Sequence, residues 1–123
     1  MQSLEKLLEV MTTLLGPNGC PWDKAQTHQS LRKTMAEECQ EVIEAITAEN
    51  YPNLCEELGD VLINIILHAK IAEVAGQFTL DDIISGATEK LISRHTHIFG
   101  EDTAATPEEA RQIWEANKKR EKR

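Results

Sequence analysis

The chain has 123 residues, a length that fits one domain able to bury a core yet small enough to gain from association with a second copy. Its 21 acidic residues outnumber 13 basic ones and leave a net charge of −8, which argues against a general nucleic-acid binder working by phosphate neutralisation. Residues 1–80 carry 5 Lys/Arg and 12 Asp/Glu, whereas residues 81–123 carry 8 and 9, so a phosphate ligand would need a metal or a local cluster of cations.

Leu4, Leu7, Leu8, Met11, Leu14 and Leu15 recur at helical spacing, with Ser3 as a cap, and predict an amphipathic helix that ends before Gly16-Pro17. Residues 16–27 read as a loop. A second helix is expected over 30–48, with Leu31, Met35, Val42, Ala45 and Ile46 on its apolar side. After a turn around Asn50-Tyr51-Pro52, a third helix carries Leu54, Leu58, Val61, Leu62, Ile65, Ile66, Ala69 and Ala72, and Gly76 is placed to end it. From Val61 to Leu67 that helix is apolar nearly all round apart from Asn64, which predicts cover by a partner subunit.

Thr79 with Asp82 marks the start of a fourth helix bearing Leu80, Ile83, Ile84, Ala87, Leu91 and Ile92, and Thr106, Pro107 and Glu109 repeat that pattern for a short fifth containing Ile113 and Trp114. Alternation of period two never persists, so the expected fold is an all-α helical bundle in a single domain over 1–123. Cys20, Cys39 and Cys55 are odd in number with no Cys-x-x-Cys, which suggests reduced thiols rather than a disulfide framework or zinc site. Glu5 and Glu9 interrupt the N-terminal apolar pattern as no signal-peptide core would, and no apolar run is long enough for a membrane span. A soluble cytoplasmic protein with no membrane partner is expected.

Glu38 with Glu41, and Glu57 with Asp60, are each three residues apart on one helix, so each pair projects from one face. A solvated acidic face is the plainer explanation of either pair alone. The second pair, however, opens the most apolar helix, where like charges need a neutralising cation. Two antiparallel helices joined by a short turn would bring the pairs together and offer enough oxygens for one or two Mg²⁺ ions. A di-iron carboxylate bundle would use Glu-x-x-His, and none of His28, His68, His95 and His97 has a Glu three positions earlier.

Lys90 and Arg94, and likewise Trp114 and Lys118, are four apart on their helices. They could face an anion and a nucleobase, or form a surface pair and a core Trp. The loop Gly19-Cys20-Pro21-Trp22-Asp23 with Gln26-Thr27 has the character of a ligand-lining segment, although Trp22 could equally plug one end of the bundle. Asn64 shares the face of Asp60 and is a candidate for a ligand contact or for an interhelical hydrogen bond.

Gly19-Cys20-Pro21-Trp22-Asp23, Glu37-Glu38-x-x-Glu41, Glu57-Leu58-Gly59-Asp60 and Arg94-His95-Thr96-His97-Ile98-Phe99, taken in this order, resemble the MazG family of nucleoside triphosphate pyrophosphohydrolases. The resemblance spans nearly the whole chain and implies an all-α pyrophosphatase fold completed by homodimerisation, with a tetramer as the larger option. It implies Mg²⁺-dependent cleavage of a nucleoside triphosphate to monophosphate and pyrophosphate, with Mn²⁺ as a substitute metal and nucleotide-pool house-cleaning as the cellular role. Carried over, Glu38, Glu41, Glu57 and Asp60 are the metal ligands; Lys90, Arg94, Trp114 and Lys118 bind substrate or assist catalysis. Glu37 or Glu41 is then a candidate to take the proton of the attacking water. Thr96 stands where the family often has Pro, Gln40 where an aromatic is frequent, and the stretch between Phe99 and Trp114 is short, departures that bear on base choice and on how the last helix closes. A specialist for dCTP, dUTP or phosphoribosyl-ATP, and a helical regulatory module that binds nucleotide without turnover, are the alternatives.

Overall fold

The computed structural model describes residues 1–122, and among these it is helical with no strand: α1 (Gln2–Leu14), α2 (Pro21–Lys24), α3 (Leu31–Thr47), α4 (Tyr51–Val74), α5 (Leu80–Arg94), α6 (Thr96–Phe99) and α7 (Pro107–Glu121). The chain forms two compact units, Met1–Leu80 and the residues from Asp81 on.

In the first unit, α3 and α4 pack along their lengths and α1 lies against α4. Met11, Leu31, Ile66 and Leu67 form the buried centre, with Leu7, Leu8, Leu14, Leu15 and Ile71 packed around it. This is the apolar stripe of α1 meeting the C-terminal half of α4. α1 starts two residues earlier than its sequence suggests, with Met1 at the N-cap and the Glu5 N–H bonded to the Met1 carbonyl, so Ser3 falls inside the first turn and does not cap it. The 16–27 segment is not wholly irregular. Pro21 opens the one-turn α2, and the backbone of Gly19 runs so close to the end of α1 that a Cβ there would meet the Leu14 carbonyl oxygen at 2.0 Å. Only glycine allows that approach, which also lets the Cys20 N–H reach the Leu14 oxygen at 2.7 Å.

The α3–α4 turn is tight because both of its ends are capped. Asn50 accepts a bond from the Asn53 N–H, with Pro52 in the first turn of α4. α3 ends with Glu49 at φ 54°, and the Glu49 and Asn50 N–H groups return to the Ile46 and Ala45 carbonyls in a Schellman arrangement. Gly76, at φ 72°, ends α4 in the same way. Ile43 and Ile46 on α3, and Leu58, Leu62 and Ile63 on α4, stay 39–55% exposed, so both helices present apolar side chains to solvent.

In the second unit, α6 packs on α7. The Thr106 hydroxyl accepts the Glu109 N–H, and the Glu109 carboxylate accepts the Ala105 N–H, which fixes the start of α7 as its Thr-Pro-x-Glu pattern predicts. No helix among the described residues is long and apolar enough to cross a membrane.

Candidate functional site

The α3–α4 hairpin sets Glu41 beside Glu57 and Glu38 beside Asp60, the order that antiparallel helices require. Glu41, Glu57 and Asp60 each place one carboxylate oxygen within 4.8 Å of the other two. Trans ligands of an octahedral Mg²⁺ stand about 4.2 Å apart, so the trio has nearly the span of one hard cation. Glu38 lies outside this trio. Its Oε2 is nevertheless buried without a hydrogen-bond partner, as are Glu57 Oε2 and the Oδ1 of Asn64.

The electrostatics match this crowding. The Glu57 carboxyl is pushed up to about 7, first by sharing a hydrogen bond with Glu41, then by burial and by the charges of Glu41, Asp60 and Glu56. Glu38 is also raised, by burial first and then by Asp60, Glu41 and Glu37, while the Asn64 amide pulls it back. Buried acceptors without donors, all of them oxygens, suit an oxygen-seeking divalent cation. The residues present therefore fit a Mg²⁺ or Mn²⁺ ion.

Asn64 is 2% exposed and belongs to this carboxylate face. Trp22, by contrast, is 75% exposed on α2 and plugs nothing within the chain.

In the second unit, α7 brings Trp114 and Glu121 to the side chain of Arg94. The guanidinium carbon is 5.1 Å from the centre of the Trp114 ring, and Lys118 Nζ is 5.0 Å from the same ring. Arg94 Nε donates to Glu121 at 2.8 Å, and the Ser93 hydroxyl bonds the other oxygen of that carboxylate. Ser93 and Arg94 together hold the Glu121 carboxyl below its ordinary value. Lys90 shares a helical face with Arg94 by spacing but is exposed, whereas Arg94 is buried.

Sequence reasoning passed over Glu121 and Asn117. Their signal lay in the spacing of Trp114, Asn117, Lys118 and Glu121, which occupy one face of α7 over two turns. It also passed over His28 and His68, whose Nδ1 atoms meet at 2.8 Å.

The chain is thus an all-helical scaffold with a carboxylate hairpin in its first unit and a cationic and aromatic cluster in its second. Residues 26–99 match the MazG nucleotide pyrophosphohydrolase domain. The chain is similar to YabN of Bacillus subtilis, 50% identical over 92% of this chain and 23% of that protein. It is also similar to the nucleoside triphosphate pyrophosphohydrolase/pyrophosphatase MazG of Thermotoga maritima, 46% identical over 96% of this chain and 45% of the relative. The crystal structure of a mazG-related protein from Thermotoga maritima superposes with a TM-score of 0.76 at 34% identity, covering 94% of this chain and 98% of the other. The chain belongs to the MazG nucleotide pyrophosphohydrolase family. It spans between about a quarter and a half of the length of these curated relatives.

Proposed function

We propose that the chain hydrolyses nucleoside triphosphates, ribo or deoxy, to the monophosphate and pyrophosphate in a Mg²⁺-dependent reaction, with Mn²⁺ able to substitute. The observation that carries this reading is the approach of Glu41, Glu57 and Asp60 within 4.8 Å beside buried, unpartnered oxygens of Glu38 and Glu57. A divalent cation held by Glu38, Glu41, Glu57 and Asp60 supplies neutralising charge for the triphosphate.

The chain's own residues do the rest by position and charge. A carboxylate of Glu37 or Glu41 accepts the proton of the water that attacks the α-phosphorus. Lys90 and Lys118 offset the charge that spreads over the phosphoryl oxygens as pyrophosphate departs, while Arg94 grips a phosphate alike in the bound nucleotide and in the transition state. The Glu121 bond occupies only Nε of Arg94, so among the described residues its two terminal amino groups keep their donors for a phosphate. Trp114 stacks on the base, and Trp22 and Asn64 complete the substrate contacts.

The family match over 26–99 runs through both compact units, which supports reading 1–123 as one domain. The exposed apolar side chains of α3 and α4 support a homodimer as the working form.

The test is release of pyrophosphate and monophosphate from the eight common nucleoside triphosphates, with Mg²⁺ and with chelator. Both products should appear only with metal, and Asp60→Asn should abolish most of the release while the helical circular dichroism persists. Nucleotide binding without any release would make the chain a nucleotide-sensing helical module. A strong preference for one deoxynucleotide would make it a specialist.

A further inference from the structure

We infer that Asn117 is a positioning residue for nucleotide binding: its buried amide ties the main chain at the end of α5 to α7, and so holds Arg94 against Trp114 and Glu121. The inference rests on the nucleotide reading of Arg94 and Trp114 above.

The last carbonyls of any helix lack intrahelical donors, and α5 ends at Arg94. Asn117 Nδ2 donates to the Arg94 carbonyl at 3.2 Å and to Thr96 Oγ1 at 2.9 Å, and its Oδ1 accepts from an Arg120 amino group. At 4% exposure the amide has both of its polar atoms engaged within the protein. Thr96 passes the link on: its hydroxyl donates to Asp102 Oδ2 at 2.6 Å, and its carbonyl accepts the Asp102 N–H at 3.2 Å. A proline at 96 would offer no hydroxyl for this chain of bonds.

Placement on α7 gives the amide its leverage. Trp114 lies one turn before Asn117 and Glu121 one turn after it, on the same face. Arg94 is therefore held at three points by one helix: its carbonyl by Asn117, the face of its guanidinium by Trp114, and its Nε by Glu121. The first of these is the only one that a ligand at the guanidinium need not disturb. An apolar side chain of similar size could fill the space of Asn117, but it would leave the Arg94 carbonyl without this donor and the rotation of α7 about its own axis less constrained.

The experiment pairs steady-state kinetics with the ¹⁵N resonance of the Arg94 Nε–H in the free, full-length protein. In the wild type that proton should be protected from exchange by its bond to Glu121. Asn117→Leu should broaden the resonance and raise KM about tenfold with kcat within about twofold, the split expected when an interaction common to ground and transition state is lost. Thr96→Val should shift KM the same way by a smaller factor, and Thr96→Ser should restore it. In an Arg94→Lys background, Asn117→Leu should add nothing to KM, because residues that act through one group are not additive. A fall in kcat at unchanged KM, or full additivity with Arg94→Lys, overturns the inference. Should Asn117→Leu fail to fold, Thr96→Val and its Ser rescue decide the matter alone. The Arg94 resonance requires no turnover: a wild type that neither hydrolyses nor binds nucleotide refutes the nucleotide reading, whereas a sharp, protected resonance in Asn117→Leu refutes the positioning role.

Discussion

The Glu57 carboxyl on α4 meets that of Glu41 on α3, and the hydrogen bond they share is the leading reason that Glu57 is pushed up to about 7. A raised carboxyl means that the folded, metal-free chain holds more protons than the unfolded chain between the ordinary 4.5 and about 7. The stability contributed by this group is full below the unfolded value and is lost as pH rises through the folded one. Glu57→Gln should therefore flatten the decline in melting temperature between pH 4.5 and about 7 in the presence of chelator. The same change should abolish the rise in melting temperature that Mg²⁺ gives the wild type. An unaltered Mg²⁺ response in a folded Glu57→Gln sample would remove Glu57 from the ligand set.

His68, bonded to His28, makes the opposite pH dependence. Their rings are parallel to within 3°, with centroids 5.0 Å apart and Nδ1 atoms 2.8 Å apart, which places them edge to edge in one plane and joined by an N–H···N bond. The Gln77 carbonyl oxygen stands 3.4 Å from His28 Nε2 and can only accept, so His68 Nδ1–H is the donor to His28. Burial and the charge of His28 lower the His68 pKa. Its contribution to stability is present above the unfolded 6.5 and is lost as pH falls through the folded value. With Mg²⁺ present to quiet the carboxylates, the wild-type melting temperature should drop more steeply on acidification than that of His68→Leu. Equal slopes would show that the pair carries no linkage.

The apolar side chains of Ile43, Ile46, Leu58, Leu62 and Ile63 should be buried by a second copy of the chain. Leu62→Glu would place a charge in that interface, and sedimentation velocity should show a dimer becoming a monomer. A wild type that sediments as a monomer at micromolar concentration rules the dimer out.

Glu49 occupies the left-handed position at the end of α3 at φ 54°, where Gly76 serves at the end of α4. Glu49→Gly should stabilise the chain by roughly 0.5–1 kcal/mol, since only the residue with a Cβ is strained there. Thermal denaturation should show a rise of a few degrees, and a fall would mean that the Glu49 side chain makes a contact worth more than the strain.

Periodicity and boundary residues were enough to place five of the helices among the described residues to within a few positions, because Ser30, Asn50 and Thr106 immediately precede α3, α4 and α7 and Gly76 lies two residues past the end of α4. The one-turn α2 and α6 were not legible, since four residues complete no apolar stripe. Spacing also revealed that Glu38 and Glu41, and Glu57 and Asp60, share helical faces. It could not say that Glu41, Glu57 and Asp60 would close to 4.8 Å with Glu38 beside them, or that Arg94 would be buried while Lys90 stays exposed. Helical spacing is a property of one element and follows from its covalent repeat. The depth and rotation at which two helices dock depend on how the side chains of both interlock, and that is settled only when the chain has packed.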